Sequence, residues 1–314
     1  MTENNKNLYY IKYLKYKQKY ISLRKKMTGG GGESKNERPS VINTPLFSCY
    51  YQDSFDRLIT TANDNNLLID SIDNLDNWDI KSLDSVEFKI YDDDIKIDFE
   101  MLHYGDKSDI NPIFIIPGFS NSSLTMTVGR INRFKNTILE KGYSDIYIMN
   151  NTSIGKLPNN LANKGVSFPT TYQAICNNIS SYFDSYEKVT LLGRSAGGGI
   201  AMYLAFKFIS EKVIGLNLAC PGYDMSDMGT TIDSFKNKNL PIRVSWANSD
   251  TKIVENIENV SGGQSLKERF EKNNYTNFKY YQVEGLLEEG PSIEGKNKHI
   301  NTHRIQPILI DNLV

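Results

Sequence analysis

The chain has 314 residues, enough for one large domain with an appendage or for two small ones. Lys plus Arg number 36 against 37 Asp plus Glu, a net charge of −1, so no global field draws in nucleic acid or an anionic membrane. Hydrophobic residues at 39% and charged residues at 23% exclude disorder of the whole chain. There is no run of about 18 apolar residues and no signal-like apolar stretch near the N-terminus, so a soluble intracellular protein is expected. Cys49, Cys176 and Cys220 are too widely spaced for a disulfide framework or a paired-cysteine metal site, and they read as reduced packing residues.

In the first segment Tyr9, Tyr13, Tyr16, Tyr20, Leu23 and Met27 recur at helical spacing. Lys12, Lys15, Lys17, Lys19, Arg24, Lys25 and Lys26 make the rest of it basic. The glycines at 29–32 stop this helix, since each costs about 1 kcal/mol in a helical interior. Residues 33–40 (ESKNERPS) have almost nothing to bury and read as a flexible linker. Residues 1–40 are therefore expected to be a basic amphipathic helix on a linker, suited to docking a protein partner. Residues 41–85 are Asp/Asn-rich with short apolar patches and read as an N-terminal elaboration.

At Val86 the period changes. Val86, Phe88 and Ile90 alternate with polar residues, a turn follows at 92–94, and Ile95, Ile97 and Phe99 alternate again, which predicts an antiparallel hairpin at the N-terminal edge. Continuous apolar runs follow at 113–116, 146–149, 189–192, 213–218, 242–246 and 278–283, as strands buried on both faces require. Helical patterns lie between them at 124–140, 170–186, 196–209 and 266–273, with one more at 302–312. This alternation predicts an α/β fold over 86–314, with a mostly parallel central sheet flanked by helices on both faces.

Gly193-Arg194-Ser195-Ala196-Gly197 spells G-x-S-x-G directly after the run at 189–192 and directly before a helical stretch. The five residues alone are a weak signal, and their strand-to-helix context makes them informative. A sharp turn there pushes a serine Oγ away from the sheet, and small neighbours let strand and helix approach. The following helix aims free N–H groups at the same spot, with Ala196 N–H the nearest oxyanion donor. Phosphate-binding readings fail, because Ser195 occupies the second glycine position of a dinucleotide motif and Gly199 stands where a P-loop needs lysine.

These residues resemble the serine elbow of the α/β-hydrolase family, whose triad runs Ser, acid, His along the chain. The resemblance covers roughly residues 86–314 and implies a Ser195 nucleophile. It also implies an acid just after the strand at 242–246, which selects Asp250 over Asp224, Asp227 and Asp233. Of the three histidines, His103 precedes the elbow by a whole strand. The family order thus leaves His299, in a polar loop, as the expected base and His303 as the alternative. The second oxyanion donor comes from the loop after 113–116. There Phe119 N–H matches the family's donor, Gly118 allows close approach, and Pro117 departs from the usual histidine.

The implied chemistry is cleavage of a carboxylic ester, or a thioester or amide, through an acyl-enzyme, without metal or organic cofactor. The rival is a non-catalytic binding or virion-associated protein of the same fold. Residues 221–240 are too short for a cap domain, so the site is expected to be open or covered by loops. Tyr223, Met225 and Met228 either line an acyl pocket or pack on the core. Separately, YIKYLKYKQKY with its glycine run resembles N-terminal segments of giant amoeba-infecting virus proteins, which implies a viral product in host cytoplasm or in the particle.

Overall fold

The computed structural model describes residues 77–82, 86–90, 93–97, 100–118, 121–150, 168–222, 225–247, 263–283, 305 and 307–314. The expected basic helix, the linker and most of the elaboration at 41–85 lie outside these residues.

The strands are β1 (Asp79–Ser82), β2 (Val86–Ile90), β3 (Asp93–Ile97), β4 (Glu100–Gly105) and β5 (Pro112–Ile116), then β6 (Asp145–Met149), β7 (Val189–Arg194), β8 (Val213–Ala219), β9 (Ile242–Ala247) and β10 (Phe278–Val283). The helices are α1 (Asn121–Glu140), α2 (Phe168–Ile179), α3 (Ala196–Tyr203), α4 (Met225–Ser234), α5 (Gly263–Lys272) and α6 (Pro307–Asp311). A 3-10 turn, Ser180–Ser185, extends α2, and a π-turn, Leu204–Phe208, extends α3.

Eight strands form one sheet in the order β1-β4-β6-β5-β7-β8-β9-β10. Strand β4 runs antiparallel to both neighbours, and the pairs from β6 through β10 are parallel. The expected hairpin forms from β2 and β3, but as a ribbon of its own. The N-terminal edge of the main sheet belongs to β1, ahead of Val86. Trp78, just before β1, is buried and donates its indole N–H to Asn132 Oδ1 of α1 at 2.9 Å.

Alternate residues of each central strand feed two cores, which is why the strands read as unbroken apolar runs. Ile113 and Ile115 face α1 and α6 through Leu124, Val128, Ile131 and Leu309. Phe114 and Ile116 belong to the opposite core with Ile175 of α2, Ile200 of α3, Met228 and Ile232 of α4, and Phe270 of α5. The fold is thus the expected mostly parallel sheet with helices on both faces. Among the described residues no helix is long and apolar enough to cross a membrane.

One buried polar cluster holds the β4 side of the sheet. His103 is 3% exposed and Asp145 0%, and His103 Nε2 lies 2.7 Å from Asp145 Oδ1. Asp145 also accepts the Lys107 N–H at 2.7 Å and the Asp109 N–H at 2.9 Å, fixing the turn that links β4 to β5. Burial works to raise the Asp145 carboxyl, yet the bonds from His103, Ser144 and the Asp109 and Lys107 amides hold it below its ordinary value of 3.8.

The native chain therefore takes up this proton at lower pH than the unfolded one. The cluster's contribution is whole above the ordinary value and is lost as the pH falls through the lowered one. Asp145→Asn is expected to cost about 1–3 kcal/mol at neutral pH, as leaving buried hydrogen-bonding groups without a matched partner does. It should also flatten the acid limb of the stability curve. Urea midpoints from pH 7 down to pH 3 measure both, and a variant with an unchanged acid limb would refute the assignment.

Candidate active site

Strands β7 and β8 pair as far as Arg194 with Ala219, and both chains then leave the sheet. The two residues at that exit, Ser195 and Cys220, have positive φ, 53° and 43°. With ψ at −128°, Ser195 occupies a conformation suited to glycine, a cost of about 1–3 kcal/mol that the surroundings must offset.

Hydrogen bonds to the Ser195 main chain supply the offset. Its N–H donates to Ala219 O at 3.0 Å. Its carbonyl accepts from Gly198 N–H at 2.8 Å, from Gly199 N–H at 3.4 Å and from Gly222 N–H at 2.7 Å. The first two bonds open helix α3, and the third ties the chain leaving β8 onto the same atom.

Close packing explains the glycines. A Cβ at Gly197 would stand 2.1 Å from Ile116 O and 2.2 Å from Pro117 O, so the end of β5 lies directly on the first turn of α3. A Cβ at Gly199 would stand 2.1 Å from Gly222 O. The β5 exit, the elbow and the β8 exit are thus in contact through main chain. Within residues 189–206, every residue is buried except Ser195 and Ala196. As the first helical residue, Ala196 has an N–H with no intrahelical acceptor. A Cβ on Gly222 would come to 3.4 Å from that nitrogen, so glycine there keeps the approach open.

The structure therefore brings Ser195 and Ala196 together with Pro117, which Gly118 follows in the chain. Phe119, Asp250, His299 and His303 lie outside the described residues. The elements around them are placed: β9 ends at Ala247, just ahead of Asp250, and both C-terminal histidines fall between β10 and α6.

His103 is accounted for differently. Its partner Asp145 pairs with Pro112 at the start of β5, whereas Gly193, beside the elbow, pairs with Ile116 at the end of that strand. The two sites sit at opposite ends of the sheet. Two of the rival acids are also engaged elsewhere. Asp227 accepts from Gln173 and Lys207, and Asp233 from Arg269 and Asn273.

Residues 221–240 contain a helix, α4, where loops were expected. Met228 is fully buried in the core and does not line a pocket. The supporting role of Pro221 and Gly222 escaped the sequence reading. Its signal was a Pro-Gly pair after one strand matching the three glycines, 197–199, after another.

No family model matches the chain, and no curated sequence does either. Among solved structures, the chain is similar to a dienelactone hydrolase of Anabaena variabilis at 11% identity and TM-score 0.42, covering 65% of this chain and 86% of that one. An esterase of Pyrococcus furiosus aligns at 10% identity and TM-score 0.41, covering 66% and 83%. A carboxylesterase of Bacillus subtilis aligns at 10% identity and TM-score 0.40, covering 66% and 84%.

Two measurements check the elbow's physics. Gly197→Ala drives a side chain into two main-chain carbonyls and is expected to cost at least about 2 kcal/mol. Gly222→Ala meets only ordinary contacts and should stay within about 1 kcal/mol. If Ser195 is strained, Ser195→Gly is more stable than Ser195→Ala by about 1 kcal/mol or more, because only glycine relieves the positive φ. Equal melting temperatures for that last pair would contradict the strain.

Proposed function

We propose that the chain is a serine hydrolase of carboxylic esters, acting through an acyl-enzyme, with Ser195 as nucleophile, Asp250 as acid and His299 as base. One observation carries the reading. Ser195 stands at φ 53° and ψ −128° on a tight turn between β7 and α3, and it and Ala196 are half-buried in an otherwise buried run. A strained, accessible serine beside an unshared helix N–H is the arrangement that acyl transfer needs.

In this reading His299 accepts the Ser195 proton as Oγ attacks the ester carbonyl carbon. The Phe119 and Ala196 N–H groups hold the oxyanion. The intermediate then collapses, breaking the bond to the leaving oxygen, and the alcohol takes the proton from the imidazolium. Water, deprotonated by His299, attacks the acyl carbon and frees Ser195 and the acid. Asp250 stays ionised and holds the imidazolium in place.

Topology supports these roles. Strand β9 is parallel to β8, which is parallel to β7, so its C-terminal end opens on the same edge as the elbow. The basic segment at residues 9–27 is assigned to docking, and the particle location it implies is tested by seeking the protein in purified particles.

A fluorophosphonate probe is expected to label the purified chain covalently at Ser195, with labelling abolished in Ser195→Ala. Turnover of short acyl esters should rise with pH as the base loses its proton. His299→Ala should lower kcat by about 10³ or more, with His303→Ala nearly neutral. The reverse pattern moves the base to His303, and a wild-type chain that neither labels nor turns over ends the enzyme reading.

A further inference from the structure

We infer that Asp227 is a positioning residue for the elbow, through a splint that α4 makes along α3. Its catalytic meaning rests on the hydrolase reading of Ser195.

Helix α3 (AGGGIAMY) is intrinsically weak, since three consecutive glycines each cost about 1 kcal/mol relative to alanine. It nonetheless carries a strained residue at its N-terminus. External contacts must therefore hold it, and those from residues 220–234 meet it at both ends.

At the first turn, Gly222 N–H bonds the Ser195 carbonyl at 2.7 Å, and a Cβ on Gly198 would stand 2.6 Å from Pro221 Cβ. At the last residue, the Tyr203 hydroxyl donates to Asp227 Oδ2. Two further donors converge on that carboxylate. Gln173 Nε2 of α2 reaches Oδ2 at 3.0 Å, and Lys207 Nζ of the π-turn reaches Oδ1 at 3.1 Å and Oδ2 at 3.2 Å. The Lys207 ammonium also lies 5.1 Å from the Tyr203 ring centre. One carboxylate in the first turn of α4 thus joins α2, α3 and the π-turn by charge-assisted bonds.

The other end of α4 is secured independently. Asp233 is bound by Arg269 and Asn273, and Tyr275 OH donates to Ile232 O at 2.8 Å. Loss of Asp227 therefore leaves α4 attached, through Asp233, Tyr275 and the core packing of Met228 and Ile232, but removes its polar tie to α3. The Gly222 bond and the Pro221 contact with Gly198 then hold the elbow from that side.

The test is amide hydrogen exchange on the full-length chain, read beside fluorophosphonate labelling of Ser195. In Asp227→Ala the amides of 195–199 and 220–222 should exchange about tenfold faster or more, the order expected when bonds to a charged group are lost. Amides of 113–116 and 146–148 should be unchanged, and the labelling rate should fall with the elbow's protection. Asp227→Asn keeps an oxygen acceptor for Tyr203 and Gln173 and should recover most of both. Tyr203→Phe, which removes a single donor, should give a smaller shift of the same pattern and keeps the test open if Asp227→Ala does not fold.

Unchanged elbow amides overturn the inference. So does equal acceleration in β5 and β6, which would mean only general loss of stability. A wild-type chain that refuses the probe, together with faster elbow exchange in Asp227→Ala, overturns the enzyme reading and supports the splint.

Discussion

A single carbonyl oxygen, that of Ser195, organises the centre of this molecule. It receives N–H groups from Gly198 and Gly199 ahead of it in the chain and from Gly222 at the exit of the neighbouring strand. Three donors reach one atom only if the main chains carrying them come close, and close main chains leave no room for side chains. The glycines at 197 and 199 follow from that convergence. So does the packing of the β5 exit against α3, where a Cβ on Gly197 would meet Ile116 O at 2.1 Å. The positive φ of Ser195 is thus maintained by bonds to its main chain, which leaves its side chain free for chemistry.

Burial decided what could be read from the sequence. Strands β5 to β9 sit in the sheet interior, and their apolar runs announced them within a residue or two, whereas β10 (FKYYQV) lies at the far edge with no residue fully buried, against the expectation of burial on both faces. Strand β1 (DIKS) has one apolar residue and is recognisable only by its pairing with β4. Strand β4 (EMLHYG) carries a histidine that can be buried only because Asp145, far along the chain, is there to bond it. Helix α4 (MSDMGTTIDS) contains a glycine and two adjacent threonines, poor helix formers whose order comes from Asp227, Asp233 and Tyr275 contacts instead of from propensity. Ser195 and Ala196 were legible because an elbow is a local motif. The cluster around Asp227 was not, because Gln173, Tyr203, Lys207 and Asp227 have no mutual spacing in sequence and meet only after three helices pack.

The parallel strands separate two kinds of polar burial. At their N-terminal ends, Asp145 takes up His103 Nε2 and the Lys107 and Asp109 amides, so these buried polar groups are paired. At their C-terminal ends, where ligands of open parallel sheets gather, the balance is deliberately incomplete, because the Ala196 N–H starts a helix and has no acceptor inside it. Such a donor is left to solvent in the free protein. It is available to an incoming oxygen, and more so to a full oxyanion than to a neutral carbonyl, because hydrogen bonds to charged groups are the stronger ones. In the hydrolase reading proposed above, this donor would favour a transition state over a substrate, provided α3 cannot relax to satisfy it some other way. Helix α3, with three glycines, could not resist that relaxation alone. In that reading, the clasp from Gly222 at one end and Asp227 at the other keeps the donor in place.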